Sequence, residues 1–467
     1  MGGAVKRSGP KGSFFWGNLL DFGRDPLGFI ESCAESYGDF VPLRFINRPV
    51  YLINDPVDIE YILAGNQRNF RKTLGYRTPF MRRLFGQGLL TSEGDFWLRQ
   101  RRLAQPAFHR DRIATYAGSI VDFTERAVGR WNEGETRAVH FDMMRLTTEV
   151  VTKTLFNSPV PREIDRLGEA SAVVMKRFTK HWSSLRLLLN LLPRLSSHRF
   201  ERVMRELDEF IYGIIRERRA SGTDSGDLLS MFLQARDESG NGMSDVQVRD
   251  ELTTLMLAGL DTTALALAWA FYLLAKNPSA DQKVAAELES VLSGRLPQLA
   301  DLPCLRYTES VVKETMRLYP SAWVIGRAAV HACEVGGHRI AAGSALLMSQ
   351  WLKHRDERFF ERATTFSPER WSEEKIEGLP KYAYFPFGGG PRICIGASFA
   401  SMETVLVLAT VLQKFRLRCP PEYCVIPWPS ITLQPKGGIH LIVERRIRQA
   451  PSDLPKSNLS VAPGSTA

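Results

Sequence analysis

Phe387-Gly388-Gly389-Gly390-Pro391-Arg392-Ile393-Cys394-Ile395-Gly396 sets one cysteine behind three consecutive glycines and ahead of an apolar run containing Met402, Val405, Leu406, Val407 and Leu408. The glycines allow a tight turn and a close approach to a flat ligand. Pro391 restricts the loop, and Gly396 leaves room for a planar group against the chain. The run after Gly396 reads as a helix, so Cys394 falls near a helix N-terminus, where unpaired N–H groups and the dipole favour an anion. A thiol there is expected to lose its proton easily and act as a thiolate ligand or nucleophile. The competing reading is a buried structural cysteine beside a Gly-rich turn.

The rest of the chain limits what that cysteine can do. A length of 467 residues exceeds the usual domain size, but no Pro/Ser-rich linker divides it. The expectation is one mainly helical domain over residues 1–449 with a small β portion, followed by a Pro-, Ser- and Ala-rich disordered tail over 450–467. The six cysteines are scattered without a CxxC pair, which argues against a zinc site or disulfide scaffold and suits a reducing, cytoplasmic setting. The net charge of +10 comes from basic residues dispersed among acids along amphipathic helices. That pattern disfavours nucleic-acid binding and suits docking of an acidic protein. The N-terminus lacks a long apolar stretch, and Phe14-Phe15-Trp16 is too short for an anchor. Leu252 to Ala275 is apolar enough to imitate a membrane span, yet Asp261 sits at its middle. A helix apolar all round is equally the central helix of a large soluble protein, the reading preferred here.

Periodicity predicts helices over 26–37, 55–63, 95–108, 112–131, 143–155, 165–178 and 199–219. Two strands, 41–45 and 50–53, flank a turn at Asn47-Arg48-Pro49, and further strands are expected over 328–335 and 431–443. Ser221 to Gly226 reads as a loop. Ser244 with Gln247 forms a capping-box pattern that starts the apolar helix, which Asn277-Pro278 ends.

The cysteine phrase resembles the haem-binding signature of the cytochrome P450 family, Phe-x-x-Gly-x-Arg-x-Cys-x-Gly, with every specified position present. Four further phrases are similar to that family's. Ala258-Gly259-Leu260-Asp261-Thr262-Thr263 looks like its central-helix segment, implying Asp261 and Thr262 as the acid–alcohol pair that delivers protons. Glu314 and Arg317 stand three apart on one helical face, and Phe366-Ser367-Pro368-Glu369-Arg370-Trp371 would bring Arg370 into a structural triad with them. Trp97 and Arg101, four apart, match the helix that binds a haem propionate. Arg392 and Arg327 look like the remaining propionate partners. With Phe387 and Gly396 these residues make up the implied cofactor site, and Cys394 is the implied iron ligand. None of the eight histidines lies in a comparable phrase.

The resemblance implies a cytochrome P450 fold with a long helix over a buried haem b, and a soluble monooxygenase of the bacterial type. It would insert one atom of O2 into a hydrophobic small molecule. Thiolate ligation favours O–O cleavage. Electrons would originate from NAD(P)H and arrive through a separate ferredoxin or flavodoxin with its reductase, since no flavin or iron–sulfur phrase occurs. A monomer without a membrane anchor is expected. Leu84, Phe85, Leu255, Ala258, Trp323, Val324, Ile431 and Leu433 are the expected substrate pocket, all apolar, with Leu89, Leu90 and Ile325 alongside. Pro320 to Val324 is similar to bacterial members acting on terpenes, and a fatty acid meeting Arg82 or Arg83 is the next choice. The alternatives are a haem-thiolate peroxygenase or isomerase needing no external electrons, a haem sensor, and a membrane transporter. The intact Asp261-Thr262 pair weighs against the first two.

Overall fold

The computed structural model describes residues 9–157 and 198–446. The expected helix over 165–178 and the tail over 450–467 lie outside the described residues. The chain is mainly helical with small sheets. Its axis is the unbroken helix Asp245–Lys276, started by the Ser244/Gln247 capping box. Its apolar window is 83% buried inside the protein. It is therefore a core helix, which is why hydropathy alone made it look like a membrane span.

Helix Val139–Phe156 packs against this axis. Thr147 Oγ1 donates to the Leu260 carbonyl at 2.9 Å, and a Cβ on Gly259 would come within 3.0 Å of Val151 Cγ2. Gly259 is thus a packing glycine between two helices, and the adjacent Ala258 is the exposed small residue. Helix Ala397–Leu412, which follows the cysteine loop, joins the same core through Val405, Leu406, Leu408 and Ala409.

The strands are β1 (Phe40–Phe45), β2 (Arg48–Ile53), β3 (Phe70–Lys72), β4 (Thr136–Ala138), β5 (Ile325–Ala329), β6 (Cys333–Val335), β7 (His338–Ile340), β8 (Ala345–Met348), β9 (Phe415–Arg418), β10 (Pro427–Pro429), β11 (Leu433–Pro435) and β12 (His440–Arg445). One sheet runs β1-β2-β8-β5-β3, a second β4-β12-β9, and β6-β7 and β10-β11 are hairpins. The β1–β2 hairpin turns at Ile46-Asn47, with Phe45 opposite Arg48, so the turn is tighter than the expected one. Pairing of β3 with β5 puts Lys72 opposite Arg327.

Three expected elements divide. Residues 112–131 form helices Arg110–Ala114 and Ala117–Val128; Thr115 Oγ1 bonds the Arg112 carbonyl at 2.7 Å and competes locally with the helix. Residues 328–335 split between β5 and β6, which belong to different sheets. Residues 431–443 break at Gly437 and Gly438, with φ of +82° and +83°, so β11 and β12 also pair in different sheets.

Candidate active site

The cysteine loop is shaped by backbone as much as by side chains. Cys394 N–H donates to the Phe387 carbonyl at 3.0 Å, closing the loop on itself. Gly390 adopts φ +63°, and a Cβ there would lie 1.9 Å from the Leu63 carbonyl oxygen, so only glycine fits. Gly396 caps the helix beginning at Ala397. A Cβ on Gly396 would meet nothing nearer than Phe108 at 3.8 Å, leaving the room there that a planar ligand needs.

Cys394 is accessible yet desolvated. Burial pushes its thiol up, against the lowering by the Gly396 N–H and the Arg101 charge. The sequence led to the opposite expectation, an easily lost proton. A helix-end field is outweighed by the low polarity around the sulfur, so bonding to a cation is what would hold it as thiolate. The same combination of exposure and desolvation recurs at Arg101 and Arg327, both half-buried with pKa lowered by desolvation. Ala258 is exposed in the middle of the buried axis helix. These groups face a cavity inside the protein rather than the outer surface.

The cationic side of that cavity is denser than the sequence implied. Trp97 is buried under the Arg392 guanidinium, 4.4 Å from ring centroid to Cζ. Arg392 ion-pairs with Glu93 through Nη2, while its buried Nε and Nη1 have no protein partner among the described residues. Arg101 likewise makes no ion pair among the described residues. Lys72, unflagged by any motif, joins them. Its Nζ donates to the Leu89 and Ser92 carbonyls at 2.7 and 3.0 Å, and its N–H to Glu93 at 2.7 Å. Desolvation, with Arg392 and Arg327 adding repulsion, brings Lys72 down to about 7. Lys72, Arg101, Arg327 and Arg392 are charge-shifted or orphaned cations faced mainly by Glu93, with Glu251 farther off. Arg392 Nε and Nη1, partnerless among the described residues, and Arg101, without an ion pair among them, call for carboxylates from a ligand. A dianionic macrocycle ligated by Cys394 fits this donor set, and haem has both features.

Glu314, Arg317 and Arg370 come together as spaced. Glu314 and Arg317 are fully buried and bidentate, at 2.8 Å in both contacts, and Arg370 Nε reaches Glu314 at 2.9 Å. Trp371 Nε1 and Ser367 N–H add donors at 2.9 Å each. Arg317 then donates to the His354 carbonyl at 2.7 Å, and His354 Nε2 accepts from Phe385 N–H at 2.9 Å, two residues before Phe387. Burial and the neighbouring Arg317 keep the His354 imidazole neutral, with its pKa well below the usual value, as an acceptor must be. The triad therefore braces the cysteine loop through a histidine that no motif singled out.

On the axis helix, Asp261 is 1% exposed. Its carboxylate accepts from Thr432 Oγ1 at 2.6 Å and from Gln434 Nε2 at 2.9 and 3.1 Å. Desolvation pushes its pKa up, against the lowering by the Thr432 and Gln434 hydrogen bonds and, less, by buried His140. Thr262 Oγ1 donates to the Ala258 carbonyl at 2.6 Å, and the Thr262 carbonyl accepts from Ser321 Oγ at 2.8 Å. Of the expected pocket, Ala258 is exposed and Leu255, Val324 and Ile431 are half-buried, with Leu89, Leu90 and Ile325 alongside. Leu84 and Leu433 are wholly enclosed, and Phe85 and Trp323 nearly so. Trp323 and Leu433 pack together with Phe22 and Leu52 in a separate core cluster.

The family model Cytochrome P450 matches residues 8–442. Among curated proteins the chain is 36% identical to "Cyclooctatin synthase" of Streptomyces melanosporofaciens over 94% of this chain and 95% of that protein. It is 35% identical to "Cyclooctat-9-en-7-ol 5-monooxygenase" of the same organism over 87% and 88%. To "Pentalenene oxygenase" of Streptomyces avermitilis it is 31% identical over 88% and 91%. With a cysteine loop closed by its own backbone, a cluster of cations that outnumber their carboxylate partners beside it and these near-full-length matches, the chain belongs to the cytochrome P450 family and is a haem-thiolate monooxygenase.

Proposed function

We propose that this monooxygenase hydroxylates a terpenoid, with Asp261 and Thr262 managing the protons and a separate ferredoxin or flavodoxin supplying electrons. The substrate reading is supported by the relatives named for cyclooctat-9-en-7-ol and pentalenene, terpenoid in class. The apolar lining of Leu255, Ala258, Val324 and Ile431 agrees with it, because none of these described residues offers a charge to a carboxylate. Of the two cations expected to meet a fatty acid, Arg83 is engaged by Asp208 at 2.9 Å and Glu201 at 3.3 Å, and Arg82 is exposed.

When bound, haem held by Cys394 supplies the O–O cleavage chemistry. Arg101, Arg327, Arg392 and Lys72 would hold its carboxylates. The protonation reading rests on one observation: a desolvated, hydrogen-bonded Asp261 directly precedes a Thr262 whose hydroxyl lies on the side opened by Ala258. Burial raises the Asp261 pKa, which favours the protonated carboxyl, so Asp261 can carry a proton and give it up from Oδ1 or Oδ2. Thr262 Oγ1, on exchanging its bond to the Ala258 carbonyl, can present a hydrogen to the reacting oxygen. Docking of an acidic carrier is supported by a cleft of about 510 Å³ behind the cysteine loop, lined by Lys381, Tyr382, Phe387, Ile393 and the Lys313–Glu309 pair, in which Lys381 is the cation without an ion pair among the described residues. We assign the reaction to the cytoplasm, where such carriers are reduced.

Product formed per electron consumed, with ferredoxin and reductase supplied, tests the reading. Thr262→Ala should still bind substrate and accept electrons but release more oxygen as hydrogen peroxide. Asp261→Asn should chiefly slow turnover. Unchanged coupling in both variants, or full activity without reductant, would reject the proton-relay reading and favour a peroxygenase or isomerase.

A further inference from the structure

We propose that the corner built from residues 13–17 and 44–48 is an interfacial patch that docks the protein onto membranes rich in anionic lipid. Phe14 is 84% exposed and Phe15 75%, the two most exposed large apolar side chains among the described residues. Their rings meet edge-to-face with centroids 5.0 Å apart. Exposed apolar side chains scattered singly need no explanation, but an adjacent pair on a built turn does.

The turn is built. Ser13 and Gly17 exchange backbone hydrogen bonds at 2.9 Å each, and Trp16 N–H is held by Ser13 Oγ at 3.2 Å. One exposed arginine then fastens it to the β1–β2 hairpin. Arg44 donates to the carbonyls of Ser13 at 2.6 Å, Phe14 at 3.0 Å and Ile46 at 2.6 Å. Ile46 N–H donates in turn to the Trp16 carbonyl at 3.0 Å. At the tip of that hairpin Ile46 takes φ 58°, a conformation β-branched residues avoid, and is 42% exposed. Isoleucine tolerates this conformation poorly, so the hairpin tip holds an apolar side chain in solvent at a backbone cost.

The surrounding charge selects the occupant. Lys11, Arg44 and Arg48 are exposed around the three apolar tips, and none pairs with a carboxylate among the described residues. Protruding apolar side chains ringed by cations match the acyl boundary beneath anionic headgroups. A protein partner would need a complementary area of roughly 800 Å² per side, more than two narrow turns offer. Insertion of three tips into a fluid interface needs no such complementarity. Docking there would bring the monooxygenase to where hydrophobic substrates dissolve. The contact is peripheral and reversible.

The test is co-sedimentation of the haem-loaded full-length protein with vesicles of phosphatidylglycerol and phosphatidylcholine in equal parts, and with phosphatidylcholine alone. The parent should partition onto the anionic vesicles and markedly less onto the neutral ones. Phe14→Ser with Phe15→Ser should lower the partition about tenfold or more. Arg48→Glu should lower it about fivefold or more. Raising salt to about 0.5 M should weaken what remains. An unchanged thiolate-type carbon-monoxide spectrum in the variants would show that the fold is intact. Equal partition of parent and double variant, or no preference for anionic vesicles, would overturn the proposal. So would concentration-dependent self-association of the parent that the double variant loses, which would assign the patch to a second copy of the chain. Because the readout is vesicle binding, these outcomes are independent of the proton-relay reading.

Discussion

Replacing Glu314 by Gln removes one charge from the centre of the brace and changes almost no volume. In the native protein its two oxygens receive Arg317 Nε and Nη2, Arg370 Nε, Trp371 Nε1 and Ser367 N–H, between 2.8 and 2.9 Å. A glutamine amide would turn an NH2 toward some of those donors and leave Arg317, fully buried, without its counter-charge. Breaking a buried pair from one side costs about 3–5 kcal/mol. With an unfolding entropy of about 2 cal/mol/K per residue, a chain of 467 residues has about 1 kcal/mol/K. The melting temperature should therefore fall by only about 3–5 °C, a small shift for a large local loss. The more telling readout is local. Arg317 reaches the cysteine loop through His354 and the Phe385 N–H, so the thiolate-type absorption of the reduced carbon-monoxide complex should be lost at temperatures where global structure persists. The double variant Glu314→Leu, Arg317→Met leaves no buried Arg317 charge and should unfold at a higher temperature than Glu314→Gln. If Glu314→Gln keeps both its melting temperature and its spectrum, or the double variant is the less stable, the brace does not work as described.

Cys394→His should retain haem but lose the red-shifted absorption of the thiolate-ligated carbon-monoxide complex; an unchanged spectrum would remove Cys394 as ligand. Arg101→Ala should shorten haem retention in competition with apomyoglobin, since Arg101 makes no ion pair among the described residues and is free for a propionate. Glu403 is buried with neither oxygen partnered among the described residues, and desolvation pushes its pKa up to about 8. The folded state then holds a proton that the unfolded chain releases near its ordinary 4.5. Stability should fall as pH rises from about 4.5 to 8, by at most about 1.4 kcal/mol per unit. Denaturant midpoints measured across that range should lose this slope in Glu403→Gln.

The cysteine loop, the capping box and the Glu314–Arg317 pair were legible in the sequence because each is local. A three-glycine turn, a Ser244–Gln247 exchange and a spacing of three on a helix need only neighbouring residues to define them. The family itself was legible for the same reason, since its signature is a run of ten residues. What the sequence by itself did not determine are the partners that lie far along the chain. Lys72 enters the cation cradle only because β3 pairs with β5, 255 residues later at Arg327. Asp261 gains its hydrogen bonds from Thr432 and Gln434, at separations of 171 and 173 residues. His354 serves the cysteine loop as an acceptor across 31 residues. Which small residue of Ala258-Gly259 faces the cavity depended on Val151 in another helix. The protonation of Cys394 was likewise decided by enclosure, since a thiol's charge follows the polarity of everything folded around it rather than the helix it precedes. Local backbone chemistry is written residue by residue, whereas desolvation and distant pairing exist only once the chain has closed on itself.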